Sequence, residues 1–262
     1  MEKLVLTEEE IYRGSLILVT PDFPLREAIE RSDMKSVLGA GFTQAKMPDI
    51  LLRQQAVRAL QALLSDIGCK EEITAVSGFR TQKEQEEIWE DSMAENGEAF
   101  TRKFVAVPGH SEHQSGYAID LGENVQDIDF ICPRFPHQGI FGKFRERMAY
   151  FGFVERYMAG KEEITGIGAE PWHFRYVGYP HSVIMAERNM VLEEYIEFLH
   201  TTTEWGKPYI FRDNEAWAEI SCISLENGGK ETLEVPKEAL YQISGTNEGG
   251  VVVTLWRKND EK

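Results

Sequence analysis

The chain has 262 residues and a formal net charge of −16 at pH 7, with a sequence pI near 4.9. This excess of negative charge opposes binding to nucleic-acid phosphates and to anionic lipid surfaces, so neither is expected as a partner. Hydrophobic residues make up 42% of the chain and charged residues 27%, which excludes an intrinsically disordered protein.

The N-terminal region gives no sign of export. Residues 1–14 lack a basic stretch followed by an apolar one, and nowhere does an apolar run reach the length of a membrane span. The three cysteines are scattered and form no CxxC pair, which favours reduced thiols over disulfides. The sequence therefore predicts a cytoplasmic protein without membrane attachment, and it leaves the oligomeric state open.

The first periodic signal is an amphipathic helix over residues 50–67, where apolar residues recur at helical spacing. The segment ITAVSGFRT, residues 73–81, is typical of a short strand that runs into a turn. A charged helix is predicted over residues 82–97, and two short strands over residues 104–107 and 117–121.

Farther along, the pattern predicts a helix over residues 141–150, a strand over residues 172–177 and a helix within residues 182–200. Helices and strands intermix without the regular alternation of a doubly wound sheet. We therefore expect an α+β fold, in which a small, mostly antiparallel sheet flanked by helices carries the functional site.

The C-terminal region differs in character. Short β-rich runs separated by turn residues follow one another after residue 202: PYIFR, AWAEISCISL, TLEVP, LYQISG and VVVTLW. The sequence thus predicts a main domain over residues 1–202 and a small β-rich extension over residues 203–262.

The stretch GHSEHQSGYAIDLGEN, residues 109–124, is rich in polar groups that can bind a metal. On a continuous helix, His113 and Asp120 would be about 10 Å apart, too far to share one ion. They are therefore expected on a turn and a strand, with Gly116 supplying the backbone freedom for the bend. Zinc accepts imidazole and carboxylate ligands, and a catalytic zinc takes three protein ligands, so a third is expected from elsewhere.

The segment GAEPWHFRYVG, residues 168–178, is the best source of that ligand. Pro171 biases Glu170 away from helical backbone angles, and a spacing of three places Glu170 and His173 on opposite faces of a flat strand. A bend or bulge near Trp172 is needed for both side chains to reach one site.

With such a bulge, His113, Asp120 and His173 would complete a zinc site of two histidines and one carboxylate. Glu170 would then lie beside the metal without binding it. A carboxylate in that position can take a proton from a metal-bound water and return it to a leaving amine.

Three motifs together resemble the zinc D,D-peptidases of the VanX, VanY and VanXY vancomycin-resistance type. They are SxHxxGxAxD, which begins at Ser111, ExWH, which begins at Glu170, and SGFRT, residues 77–81. One of these motifs alone is a weak signal, but the three in this order are highly specific. The resemblance covers most of residues 1–202, and minimal members of the family lack the β-rich extension.

The resemblance implies roles for five of these residues. His113, Asp120 and His173 would bind Zn²⁺, and Glu170 would be the general acid/base. Arg80 would stabilise the oxyanion of the tetrahedral intermediate, a role that suits its fixed cationic fork.

The resemblance also implies a substrate. Ser111 would be a substrate-positioning hydroxyl next to the metal, and Gln85 is a weaker candidate for the same pocket. The VanXY kind is the nearest, which implies a cytosolic enzyme that cleaves both free D-alanyl-D-alanine and the muramyl pentapeptide precursor that ends in it.

Simpler interpretations exist for several of these residues. His110, three residues before His113, is an alternative ligand, although the family motif selects His113. Arg80 could merely pair with an acidic residue of the following helix, and Asp120 could merely end a strand. Ser77 is interpreted as a turn cap and placed outside the site.

Two other functions fit the same residues. The first is a cell-wall endopeptidase or L,D-peptidase that acts on mature peptidoglycan, which would require export. The second is a non-catalytic peptide-binding module that keeps zinc for structure and uses the C-terminal sheet for partner contacts. Glu170 favours an enzyme, because a purely structural zinc has no need of a neighbouring carboxylate.

Overall fold

The computed structural model describes residues 1–27, 29–38, 50–214, 217–225 and 229–257. They form two compact units, one of residues Val19–Val191 and the other of Met1–Leu18 together with Leu192–Lys262. The strands in chain order are β1 (Glu2–Leu6), β2 (Met34–Ser36), β3 (Leu51–Arg53), β4 (Ile73–Ser77), β5 (Ala118–Glu123), β6 (Phe153–Tyr157), β7 (Glu170–Tyr176), β8 (Tyr209–Arg212), β9 (Trp217–Ser224), β10 (Glu231–Val235), β11 (Tyr241–Gly245) and β12 (Gly250–Arg257).

The helices are short and lie between the strands in mixed order. They are α1 (Glu8–Ile11), α2 (Gln54–Asp66), α3 (Gln82–Glu95), α4 (Glu98–Phe104), α5 (Gly139–Met148), α6 (Glu162–Thr165), α7 (His181–Arg188) and α8 (Leu192–Thr202). This mixture confirms the predicted α+β class. None of the helices in the described part of the chain is both long and apolar enough to span a membrane.

The larger unit contains a four-stranded antiparallel sheet in the order β4–β5–β7–β6. Because side chains alternate along a strand, Ile119, Leu121 and Phe174 enter the core, while Asp120 and His173 lie on the opposite face. The core residues come mainly from this sheet, α2 and α5: Leu60, Leu63, Leu64, Ala75, Ile119, Leu121, Phe144, Phe153 and Phe174.

Aromatic packing on the core face supports the strand that carries His173. The Phe144 ring lies 4.9 Å from the Phe174 ring and 5.4 Å from the Phe135 ring, centroid to centroid. We expect Phe144→Ala to lower the free energy of unfolding by about 3–5 kcal/mol, because it leaves a cavity in this cluster. Denaturant unfolding measures the change. The control is Ile164→Ala, at a 45% exposed position, which should change the free energy of unfolding by less than about 0.5 kcal/mol. An equal loss of stability in both variants would contradict the assignment of the core.

Three sequence predictions of local structure are wrong in detail. Residues 104–107 are not a strand, because Phe104 ends α4 and Val105 leaves it in extended conformation without a sheet partner among the described residues. The helix predicted from residue 50 begins at Gln54, since Leu51–Arg53 pairs with β2. The helix within residues 182–200 is two helices, α7 and α8, interrupted at Asn189, whose φ of +52° is left-handed.

The smaller unit is β-rich, as predicted for the C-terminal region. Its four-stranded antiparallel sheet has the order β11–β12–β9–β8. The remaining predicted strand, β10, pairs instead with β1 at the N-terminus. The compact units thus group residues 1–18 and α8 with the C-terminal strands, whereas the division into domains at residue 202 stays a prediction.

Candidate active site

Two predicted ligands face each other across neighbouring strands. Asp120 of β5 is the register partner of His173 of β7. Residues that are directly opposite in an antiparallel pair have Cβ atoms only about 4.5–5.5 Å apart, so the strand pairing itself brings the two side chains together. Oδ1 of Asp120 lies 3.0 Å from Nδ1 of His173.

The chain bends sharply just before β5, as the spacing of the motif required. A 3₁₀ helix, Glu112–Ser115, ends at Gly116, whose φ of +74° is in the left-handed region. A Cβ atom at this position would also lie 2.6 Å from Sδ of Met34. The bend therefore needs glycine for both its backbone angle and its space.

This bend brings His113 to the other two predicted ligands. Nε2 of His113 lies 3.1 Å from Oδ2 of Asp120, and its Nδ1 lies 2.8 Å from the carbonyl oxygen of Gly78. Since a carbonyl oxygen only accepts hydrogen bonds, Nδ1 donates the proton and Nε2 presents its lone pair.

The three residues fit a metal ion. One nitrogen or oxygen atom from each of His113, Asp120 and His173 lies within 4.8 Å of the other two, and all three residues are buried. Oδ1 of Asp120 lies 3.0 Å from Nδ1 of His173, but the two atoms do not meet in hydrogen-bond geometry, and Oδ1 has no other partner in the described parts of the chain. A buried oxygen in this state is costly unless a cation satisfies it.

Glu170 lies beside this group because β7 bulges. Glu155 pairs with Phe174 and Tyr157 pairs with Glu170. The chain therefore advances by two residues along β6 but by four along β7, so β7 contains two extra residues between these pairs. The extra residues turn Glu170 to the side on which His173 lies, with Oε2 of Glu170 3.5 Å from Nδ1 of His173. The expected bulge around Trp172 is confirmed.

The environment of Glu170 makes its carboxyl group easier to protonate. Burial raises the pKa of Glu170 to about 8 and Asp120 acts in the same direction, whereas His173 and Arg80 oppose the change. Such a carboxyl group gives and takes a proton near neutral pH more readily than an ordinary glutamate, which is the property of a general acid/base.

The candidate ligands have shifted pKa values as well. Burial and Arg80 lower the pKa of His113 to about 4. Burial disfavours a charge on His173 too, but the Asp120 and Glu112 carboxylates outweigh it and raise the pKa of His173 to about 9. Burial would raise the pKa of Asp120, yet the two histidines hold it well below its usual range. Asp120 is therefore an anion near neutral pH, as a metal ligand must be.

Arg80 extends from the turn after β4 and is fixed by its neighbours. Oγ of Ser77 accepts from its Nε at 3.0 Å and from its Nη2 at 2.8 Å. Oδ2 of Asp120 accepts from Nη2 at 3.2 Å. The ion pair is thus with a candidate ligand and not with an acidic residue of α3. Ser77, which the sequence interpretation placed outside the site, orients the guanidinium.

The two predicted substrate contacts occupy different positions. Ser111 is buried and lines the cavity described below. Gln85 is fully buried behind Arg80, where its Oε1 accepts from Arg80 at 3.3 Å and its Nε2 donates to the carbonyl of Ala106 at 2.8 Å. A contact between Gln85 and substrate stays a prediction, and the contacts present favour a role in supporting Arg80.

His110 has an ordinary structural role. Its Nδ1 lies 2.7 Å from the carbonyl oxygen of Thr20, and it is not part of the candidate metal site formed by His113, Asp120 and His173. A hydrogen bond to the backbone accounts for this histidine.

A buried charge cluster that was not predicted from the sequence lies behind His173. Oε1 of Glu112 lies 2.7 Å from Nε of Arg156 and 2.9 Å from Nη1 of Arg175, and all three side chains are at most 1% exposed. Burial alone would raise the pKa of Glu112, but the two arginines hold it well below its usual range. One signal was available, since Arg175 follows His173 by two residues and so shares its face of β7.

A cavity of about 670 Å³ adjoins the site. Its lining includes the predicted ligands and their neighbours: Arg80, Ser111, His113, Asp120, Glu170 and His173. The lining also follows α3 from Glu84 to Glu95, a rise of about 16 Å along the helix. The volume is in the range of small-ligand sites, and the length along α3 exceeds what a dipeptide of two alanines needs.

Residues 49–179 match the family model for VanY, D-alanyl-D-alanine carboxypeptidase. The chain belongs to the VanY family. The matched range contains every predicted site residue, and it includes the whole of the sheet β4–β5–β7–β6. The predicted resemblance is thereby confirmed.

Relatives with a named activity support this membership. The chain is 45% identical to VanXYC of Enterococcus gallinarum, a bifunctional D-Ala-D-Ala dipeptidase and D-Ala-D-Ala carboxypeptidase, over 59% of this chain and 82% of the relative. The vancomycin-resistance D,D-dipeptidase VanXYg, solved in complex with a D-Ala-D-Ala phosphinate analogue, superimposes with a TM-score of 0.90 at 43% identity, over 98% of this chain and 99% of that one.

A more distant structure contains zinc. A variant of the D,D-pentapeptidase VanY from a VanB-type resistance cassette, solved in complex with Zn(II), matches with a TM-score of 0.55 at 28% identity, over 70% of this chain and 98% of that one. The enzyme class predicted from the sequence, a metallopeptidase of the D-Ala-D-Ala carboxypeptidase and dipeptidase type, is confirmed at the level of the family.

Proposed function

We propose that this protein is a zinc-dependent hydrolase that releases D-alanine from D-alanyl-D-alanine, both as the free dipeptide and at the end of the muramyl pentapeptide precursor. One observation carries the proposal: the buried group of His113, Asp120 and His173, with Glu170 3.5 Å from His173. This group of residues lines a cavity. The chain is also 43% identical to VanXYg, an enzyme solved in complex with a D-Ala-D-Ala phosphinate analogue.

The proposed roles follow from position. His113, Asp120 and His173 would hold the metal, and a zinc ion there would supply a Lewis acid for the carbonyl oxygen and for the attacking water. Glu170 accepts a proton from the attacking water and passes it to the leaving amine of D-alanine. Its buried position beside the metal group supports this role.

The size of the cavity supports a substrate range of both short and longer peptides. Ser111 lines the same cavity as the metal group, where a terminal dipeptide would bind. The lining along α3, from Glu84 to Glu95, gives a longer peptide room beyond its last two residues. Both the free dipeptide and the pentapeptide are therefore proposed as substrates.

An assay of D-alanine release tests the proposal. The purified protein is given D-alanyl-D-alanine, the muramyl pentapeptide and a tetrapeptide that ends in an L,D bond, each with and without a chelator. We expect D-alanine release from the dipeptide and from the pentapeptide. The chelator should abolish this activity, and added zinc should restore it. Release from the tetrapeptide alone would favour an L,D-peptidase, and zinc binding without any release would favour a non-catalytic binding module.

Arg80→Lys tests the oxyanion role. Lysine keeps the positive charge but loses the fork that Ser77 orients. We expect kcat for D-alanyl-D-alanine to fall about 10²–10³-fold, the usual effect of losing one oxyanion donor, with zinc content unchanged. Arg102→Lys, at an exposed pair with Glu98, is the matched control. Equal kcat in both variants would refute the role of Arg80.

A further inference from the structure

We infer that Glu112 is a positioning residue for the candidate metal site, where it accepts the Nε2 proton of His173 and so leaves Nδ1 free for the ion. The inference rests on the proposed metal site. It gives a function to a buried carboxylate for which the proposed reaction has no use.

The two nitrogens of His173 face different groups. Nδ1 lies 3.0 Å from Asp120 and 3.5 Å from Glu170, on the side of the candidate site. Nε2 lies on the other side, 3.7 Å from Oε2 of Glu112. Both Nε2 and this Oε2 are buried without a hydrogen-bond partner in the described residues. They face each other, and closing by about 0.8 Å would make an ordinary hydrogen bond.

An ion on Nδ1 determines which of these atoms is the donor. A neutral imidazole that binds a metal through Nδ1 carries its proton on Nε2, where the Glu112 carboxylate can accept it. His113 has the complementary arrangement, because its Nδ1 donates to Gly78 and its Nε2 faces Asp120. Each histidine would then be oriented by an acceptor on the ring nitrogen that the metal does not use, as metal-bound histidines usually are.

Two arginines hold the carboxylate in place. Arg156 of β6 and Arg175 of β7 both contact Oε1 of Glu112, which leaves Oε2 directed at His173. Their combined charge compensates the buried anion, so it does not need to take up a proton. Glu112 also precedes His113 in the same 3₁₀ helix, and it thereby links the segments that carry two of the three ligands.

The substitution Glu112→Gln tests the inference through metal affinity. Arg156 and Arg175 are donors, so the side-chain oxygen of the introduced glutamine would accept from them. Its side-chain nitrogen would then face Nε2 of His173 as a donor. That favours a proton on Nδ1, where it competes with the ion. We expect the Kd for zinc, measured by competition with a chromogenic chelator, to rise about 10–100-fold. Glu219→Gln, which breaks a part-buried pair with Arg257, should leave it unchanged.

Thermal unfolding of the metal-free variants separates positioning from stability. A folded Glu112→Gln variant with wild-type zinc affinity would overturn the inference, even if its Tm were lower. Failure of the wild type to bind zinc would overturn the proposed function and this inference with it.

Nitrogen-15 NMR of the zinc-loaded wild type gives a second test that needs no variant to fold. The His173 ring proton is expected on Nε2, shifted downfield by its bond to Glu112. A proton on Nδ1, with zinc on Nε2, would overturn the inference on its own.

Discussion

Replacing His173 with alanine is expected to remove both zinc binding and hydrolysis. The change deletes one of three proposed ligands and leaves the Asp120 carboxylate buried with one histidine fewer beside it. Because the proposed reaction depends on the Lewis acidity of the ion, D-alanine release should fall at least about 10³-fold. Zinc content after dialysis and D-alanine release from the dipeptide measure the two effects together.

The matched control for this variant is His137→Ala. His137 is exposed and has no proposed role, so this variant should keep wild-type zinc content and turnover. A His173→Ala protein that retains a full equivalent of zinc would show that the ligand set is wrong. Retained zinc with lost activity would mean that His173 acts in catalysis and not in metal binding.

Replacing Glu170 with glutamine is expected to keep zinc and abolish hydrolysis. Glutamine has the shape of glutamate but cannot accept and return a proton, so kcat should fall about 10²–10⁴-fold. The proposed ligands His113, Asp120 and His173 are untouched, so zinc content should match the wild type. Metal analysis and single-turnover D-alanine release on one preparation give both quantities.

Glu162→Gln serves as the control for Glu170→Gln, because Glu162 is exposed on α6. Turnover close to the wild type in the Glu170 variant would exclude the proposed proton transfer. Both active-site variants are thus expected to lose activity, but with opposite zinc contents, which a general loss of folding cannot produce.

Local chemistry in the sequence was enough to predict several elements of the fold and the site. Thr81 and Glu84 form a capping box, with Glu84 N to Thr81 Oγ1 at 3.3 Å and Thr81 N to Glu84 Oε2 at 2.7 Å, and they start the charged helix where it was expected. The distance argument for His113 and Asp120 required a bend at Gly116, and the helix end found there has that form.

The features that were missed depend on contacts between distant segments. Glu112 appeared as a variable position inside a motif, because its partners Arg156 and Arg175 come from strands 44 and 63 residues farther along the chain.

The strand predicted at residues 104–107 failed because apolar β-formers there follow the end of α4 and find no neighbouring strand among the described residues. β-propensity describes a fit to a sheet surface, and tertiary structure decides whether that surface exists.

Ser77 and Gln85 illustrate the same limit within the site. Both carry polar groups that a sequence can assign to a turn cap or to a substrate contact with equal ease. Only the folded chain shows that both accept hydrogen bonds from the guanidinium of Arg80. These contacts support a role for both residues in positioning Arg80.

The most direct test of the account is an anomalous difference map from crystals of the zinc-loaded protein, collected on both sides of the zinc absorption edge. We predict one strong peak about 2.0–2.2 Å from Nε2 of His113, a carboxylate oxygen of Asp120 and Nδ1 of His173. A peak elsewhere in the chain, with these three side chains uncoordinated in an active preparation, would contradict it.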